Sequence, residues 1–248
     1  MDIENVFRKY RISDKKPELV EFGDIFIKIK REGNGWFINS YSRNEKEPET
    51  NDFFQTGSSD SLILIPALQT KPLVFKGSSL SIMPRQKLTF YVKIPMVVQV
   101  FHTNKHHDNL IKEIIHTRLS DTWFGEPDNG EAAFLLGSEY FFHIEELKIQ
   151  QHEAVCPVQV YNNSDKILEL QRLILRIENM SLYKVNENVF TSFVKLEYKG
   201  KDVISSANYG SSKVYHGEKL HILAKPGNDK ETPLKINFHF IRNIYKNA

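Results

Sequence analysis

The densest run of chemically capable side chains lies between Arg118 and Glu139. It holds Arg118, Asp121, Trp123, Glu126, Asp128, Glu131 and Glu139, interrupted by Gly125, Gly130 and Gly137. Two carboxylates beside an exposed aromatic suit a sugar: the ring stacks on the sugar while the carboxyl pair acts as acid and base. The same stretch also suits plain recognition, with Arg118, Trp123, Glu126, Glu131 and Glu139 as the candidate binding set. A structural role competes with both. Arg118 can pair with Glu126 or Glu139 and lock a loop, and Asp128-Asn129-Gly130 is a turn signal whose charged flanks are ordinarily solvated. A site requires Arg118 and Glu139 to lie close together, with residues 112–119 and 134–142 as neighbouring strands. It also puts Trp123 and Glu126 on a loop at one end of a sandwich. The structural reading instead buries Trp123 and scatters the carboxylates.

A second cluster is His102, His106, His107 and His116. Three of these converge on a metal if one strand ends near residue 107 and the next begins there. Their spacing matches no established ligand triad, and adjacent His106 and His107 point to opposite faces of a strand, so no metal is assigned. The chain has no GxxxxGK[ST] loop, no GxGxxG after a strand and no GxSxG elbow, and no cofactor is expected. The single cysteine, Cys156, lies in the apolar run Val155-Cys156-Pro157-Val158 and reads as a buried, inert thiol. It can form neither an internal disulfide nor a thiolate zinc site.

The elements that must position these residues are strands. Ile25, Ile27 and Ile29 alternate with Lys28 and Lys30; Leu88, Phe90, Val92 and Ile94 alternate with Thr89, Tyr91 and Lys93; Leu234, Ile236, Phe238 and Phe240 alternate with Lys235, Asn237 and His239. Period-two patterning is that of antiparallel sheets with one dry face. Turn signals separate the runs, at Gly33-Asn34, Asp128-Asn129-Gly130, Lys199-Gly200-Lys201 and Pro226-Gly227-Asn228. The expectation is an all-β, mainly antiparallel chain with little helix, built as two β-sandwich domains over 1–146 and 147–248. The polar stretch His143 to Glu153 is the preferred joint, and residues 44–61 read as a long surface loop. Val98-Gln99-Val100-Phe101 after Pro95 and Val158-Gln159-Val160-Tyr161 after Pro157 echo each other as central strands. Two stretches resist assignment. Residues 108–119 suit a short helix, and residues 167–177 fit either period, with strand favoured.

Composition narrows the partners. The chain has 248 residues, with hydrophobic residues at 40 % and aromatics at 12 %, enough for a packed core. Its 33 basic and 31 acidic residues are interspersed, whereas a nucleic-acid binder gathers its bases on one face, so nucleic acid is disfavoured. The N-terminus lacks a signal pattern and no apolar stretch approaches about 20 residues, so the chain is expected to be cytoplasmic and not membrane-spanning. Residues 234–240 are the candidate contact for homo-oligomer formation, because open strand edges invite pairing.

The middle of the chain carries a resemblance. Tyr91-Val92-Lys93-Ile94-Pro95, Val98-Gln99-Val100-Phe101, Thr117-Arg118-Leu119-Ser120, Trp123-Phe124-Gly125, Gly130-Glu131 and Ser138-Glu139-Tyr140 come in the order of the prokaryotic "domain of unknown function 432" family. It extends through Val158–Asn162 and Gln171-Arg172-Leu173, over roughly residues 72–185. Leu136-Gly137 stands where that family carries a basic–aromatic pair. The family has no established activity, so the resemblance marks a region and implies no chemistry. It is loosely associated with genes for small mechanosensitive-type channels, which implies a cytoplasmic regulatory partner of a membrane channel as one reading. The sequence therefore reads first as a binding or interaction module for a protein or small molecule, and second as a carboxylate-dependent hydrolase acting on a carbohydrate.

Overall fold

A computed structural model of the chain describes residues 3–12, 16–48, 52–57, 59–125, 127–128, 130–137, 139–200, 206–210 and 220–226. The strands, in chain order, are β1 (Lys9–Arg11), β2 (Glu18–Phe22), β3 (Ile25–Glu32), β4 (Gly35–Ser42), β5 (Phe53–Gln55), β6 (Ser61–Ala67), β7 (Leu73–Ile82), β8 (Lys87–Pro95), β9 (Val97–His102) and β10 (Leu110–Ile115). They continue with β11 (Ser120–Phe124), β12 (Glu131–Gly137), β13 (Glu153–Asn162), β14 (Leu168–Leu175), β15 (Leu182–Val185), β16 (Asn188–Thr191), β17 (Phe193–Tyr198), β18 (Ser206–Gly210) and β19 (His221–Ala224). Helix among the described residues is confined to short 3-10 turns at Ile3–Asn5, His107–Asn109, Ile144–Glu146 and Ile177–Asn179. The protein is all-β, as its alternating pattern requires. Among the described residues no helix is long and apolar enough to cross a membrane.

The strands fall into two compact units, which draw on stretches from both sides of residue 146. The first comprises Met1–Ala67, Pro95–Thr117 and Gln150–Glu153, and the second Leu68–Ile94, Arg118–Ile149 and Ala154–Ala248.

The first unit has two four-stranded antiparallel sheets, ordered β1-β6-β9-β10 and β2-β3-β4-β5. Alternation decides what each buries. Ile27 and Ile29 on β3 and Trp36 and Ile38 on β4 are fully buried, while Lys28 and Lys30 face outward. In the other sheet Leu62, Leu64, Val98 and Val100 form the matching dry row. Residues 110–115 are strand and not helix. They pair with β9, and a bulge between Leu110 and Lys112 shifts the register. That extra residue produces the helix-like spacing of the apolar positions.

The second unit is a sandwich. A four-stranded sheet, β11-β12-β7-β14, shares one core with a seven-stranded sheet ordered β18-β17-β13-β16-β15-β19, in which β8 also pairs with β13. Phe75, Leu136, Leu173 and Leu175 come from the smaller sheet, and Phe90, Val92, Cys156, Val158 and Val194 from the larger. β12 pairs in parallel with β7, and β13 in parallel with both β16 and β17. Residues 168–175 are strand, as favoured from sequence. The two echoed segments are both interior strands, one in each unit. Residues 234–240 lie outside the described residues.

Fully burying an Ile or Leu side chain contributes about 1.5–3 kcal/mol. Ile29→Ala and Leu173→Ala should each lower the unfolding free energy by about 2–5 kcal/mol in urea titrations. Lys28→Ala, on the outer row between Ile27 and Ile29, should stay within about 0.5 kcal/mol. Equal effects at Lys28 and Ile29 would refute this reading of the faces.

Candidate functional site

The sequence-predicted residues gather around the β11–β12 hairpin. Register pairs Trp123 with Ala132 and Phe124 with Glu131, and β12 pairs on its other side with β7. The pairing expected between 112–119 and 134–142 is therefore absent, because residues 110–115 pair with β9. Arg118 and Glu139 instead flank the open end of the hairpin, before β11 and after β12, and both are exposed. Trp123 is 48 % exposed, on the edge strand of its sheet among the described residues, and is not buried in the core. Glu126 lies outside the described residues.

Two arginines fix this hairpin from the far edge of the sheet. Arg172 on β14 donates from Nη2 to the carbonyl of Trp123 at 3.2 Å. Two strands separate β14 from β11 in the sheet order, so the sheet curls to bring them together. The Arg172 guanidinium also lies 5.8 Å from the centroid of the Phe124 ring. Arg176, just past β14, grips Glu131 with both nitrogens, one contact being Nη1 to Oε2 at 2.6 Å. Two-point guanidinium–carboxylate contacts fix orientation as well as charge. The backbone N–H of Arg176 donates to the Tyr209 hydroxyl at 2.9 Å, and burial pushes that hydroxyl's pKa up. Glu178 lies 3.6 Å from Arg176, and burial raises its carboxyl above the ordinary range despite the nearby cation. Asp121 is engaged by Lys71 at 2.8 Å. Asp121 and Glu131 are thus each held by a cation.

A second cluster, in the first unit, escaped the sequence. His116 Nε2 contacts the carboxylate of Asp24, and its Nδ1 lies 3.0 Å from the Thr117 hydroxyl. The His152 ring stacks on that of His116, centroids 3.5 Å apart and planes within 14°. Beside it the Gln151 side-chain oxygen accepts from the Gly23 backbone N–H at 2.9 Å. Gly23 has φ +64°, and a Cβ there would stand 2.8 Å from His152 Nδ1. A side chain at residue 23 would meet both a left-handed backbone and the stacked ring.

The order carboxylate, imidazole, hydroxyl is also that of nucleophile-activating triads. Here the His116 side chain is only 12 % exposed and one ring face is covered by His152, so a substrate has little access to it. The arrangement works as a clamp holding Gln151-His152 on the β2–β3 turn. Sequence held no signal for it, since Asp24 and His116 are 92 positions apart. Three of the histidines weighed as metal ligands turn to different partners: His102 contacts Thr103, His106 pairs with Asp108, and His116 turns to Asp24. Among the described residues no group of three or more His, Cys, Asp or Glu is placed to hold a metal. Cys156 is fully buried, and burial pushes its thiol up to about 12. The thiolate that nucleophilic chemistry needs is suppressed there.

These contacts set measurable expectations. Glu131→Gln should cost about 1–3 kcal/mol, because it removes the two-point charged contact from the half-buried Arg176 and leaves only Glu178, at 3.6 Å. Glu178→Gln should cost less, because burial already disfavours that charge. Gly23→Ala should cost about 1–2 kcal/mol from its backbone conformation alone. Desolvation works against the Asp24 carboxylate, but the His116 hydrogen bond and charge outweigh it and hold its pKa below the ordinary value. A depressed carboxylate adds stability above its unfolded pKa of about 4, lost as pH falls through the folded value. Asp24→Asn should therefore lower the melting temperature at neutral pH and narrow its gap to wild type below about pH 4. A gap that widens in acid would refute the assignment.

Comparison with known proteins places this geometry in a family context. Neither the curated proteins nor the solved structures yield a match. A family model described as "Protein of unknown function (DUF432)" matches residues 6–242, well beyond the stretch of roughly 72–185 that carried the resemblance in sequence. With nearly the whole length matched, including both strand-rich units and the Trp123 hairpin, the chain belongs to the DUF432 family of proteins of unknown function.

Proposed function

We propose that the chain is a non-catalytic recognition module of the cytoplasm, and that it binds a protein partner through the Trp123 edge of the β11–β12 hairpin. The observation that carries this reading is a tryptophan 48 % exposed on an edge strand whose backbone is pinned by Arg172. Tryptophan is enriched among the few residues that dominate protein interfaces, and a pinned backbone loses less freedom on binding. A single buried cysteine is compatible with a reducing compartment.

The competing hydrolase reading needs two carboxylates free to meet a substrate. Both oxygens of Glu131 are occupied by Arg176, and Asp121 is engaged by Lys71. These contacts favour recognition over catalysis.

The test is a partner identified by cross-linking, then purified and titrated calorimetrically against wild type and Trp123→Ala. Loss of a tryptophan anchor should weaken binding by at least about 30-fold, the equivalent of about 2 kcal/mol. Thermal unfolding should be nearly unchanged, since the ring is half exposed. Affinity within twofold of wild type would sink the proposal, as would glycosidase turnover abolished by Glu131→Gln.

A further inference from the structure

The clamp on the β2–β3 turn holds two imidazoles face to face beside one carboxylate. The rings of His116 and His152 have centroids 3.5 Å apart and planes within 14°. A Cβ at Gly23 would stand 2.8 Å from His152 Nδ1 and 3.3 Å from His116 Nε2, so these two nitrogens share one side of the stack. One proton fits well. As an imidazolium, His116 donates from Nε2 to the Asp24 carboxylate and from Nδ1 to the Thr117 hydroxyl, 3.0 Å away. Phe22 packs edge-on to the same ring at 6.5 Å, and the His116 side chain is only 12 % exposed. Water therefore screens little of the charge it carries.

A second proton, on His152, meets a different balance. Asp24 supplies one negative charge, which interacts with both rings. The nearby charged side chains turn elsewhere. Glu153 accepts from the Gln150 N–H at 2.9 Å; Arg43 donates its backbone N–H to the Asp24 carbonyl but sends its guanidinium to Glu21 at 3.0 Å. Two imidazolium rings at stacking distance would share a single counter-charge, and like charges so close and so little screened disfavour that state. An imidazole released into water takes its proton near about pH 6.5. Opening the stack therefore takes up a proton that the closed stack resists. The bonds that opening must break are few. Gln151 Oε1 accepts from the Gly23 N–H at 2.9 Å, and the His152 carbonyl accepts from the Met96 N–H at 2.8 Å. All of these residues belong to the first unit.

We propose that His116 and His152 form an acid-released latch. The stack closes Gln151-His152 onto the β2–β3 turn while the two rings carry at most one proton, and a second proton in mild acid opens it. The closed form excludes that second proton, so its stability relative to the open form is full above about pH 6.5 and falls as pH drops below it. The sheets on either side need not move, because the latch holds a turn and a four-residue stretch rather than a strand ladder. This device is independent of the Trp123 edge.

The test is amide hydrogen exchange of the 15N-labelled full chain, read by NMR at about pH 7.5 and about pH 5. Each rate is taken relative to that of the unfolded chain at the same pH. Opening that takes up one proton gains at most about tenfold per pH unit below about 6.5. Protection at Gly23 and Met96 should therefore fall about tenfold or more, while the amide of Ile29, within β3, keeps its protection. The imidazole signals of His116 and His152 should titrate over the same interval. His152→Phe keeps a flat ring without the second charge, and should leave Gly23 and Met96 equally protected at both pH values. Equal protection in the wild type at the two pH values overturns the proposal. So does a fall that His152→Phe retains, or one that Ile29 shares, which reports loosening of the whole unit. If His152→Phe does not fold, the wild-type histidine signals decide: lost protection without titration of both rings overturns the latch equally.

Discussion

The larger unit depends on one strand that is buried on both sides. From Ala154 to Val158 every residue of β13 is inaccessible, so the strand cannot show the alternation of a half-wet sheet. Cys156, Val158 and Val160 enter the main core, while Val155 belongs to a second cluster with Val185 and Phe190. Two dry faces demand an apolar run, and they permit the parallel pairing with β16 and β17 that is rare where one face meets water. The strand ends at Asn162, whose buried amide donates to the carbonyls of Ile82 and Lys166 and accepts from the N–H and hydroxyl of Ser164. With every donor and acceptor engaged, that side chain ties the connection after β13 to the end of β7 without the cost of an unpaired buried polar group.

Long polar contacts then do what ladders alone do not. Arg172 and Arg176 tie the β14 edge of the small sheet to its β11–β12 edge, across 49 and 45 positions of sequence. In the other unit the Asp24–His116–His152 contacts do the same for the β2–β3 turn. Such contacts restrict the motion of the β11–β12 hairpin. The two arginines divide the work: Arg176 holds the Glu131 carboxylate, and Arg172 holds the Trp123 backbone carbonyl.

Charge pairing extends over much of the surface. Many cations have carboxylates close by, from Arg8–Glu18 to Arg85–Asp165, and the net charge is only +2. Exposed pairs of this kind add little stability, typically about 0–1 kcal/mol each. Their larger effect is to weaken the field that would attract a polyanion.

The sequence alone determined the all-β class, because a period of two along Ile25–Ile29 or Leu88–Ile94 can be buried only by a strand. It also marked Cys156 as a buried thiol, from its apolar neighbours, and pointed to the family. It left 108–119 open to a helix, because a bulge at Leu110–Lys112 mimics helical spacing, and it held no signal that this strand pairs with β9. It held no trace of the Asp24–His116–His152 clamp or of the arginines that lock Glu131 and Trp123. Alternation is a local property, written in neighbouring residues and readable one segment at a time. Which strands become neighbours, and which charges separated by dozens of positions finally meet, depends on the register and curl of whole sheets, and only the tertiary structure decided that.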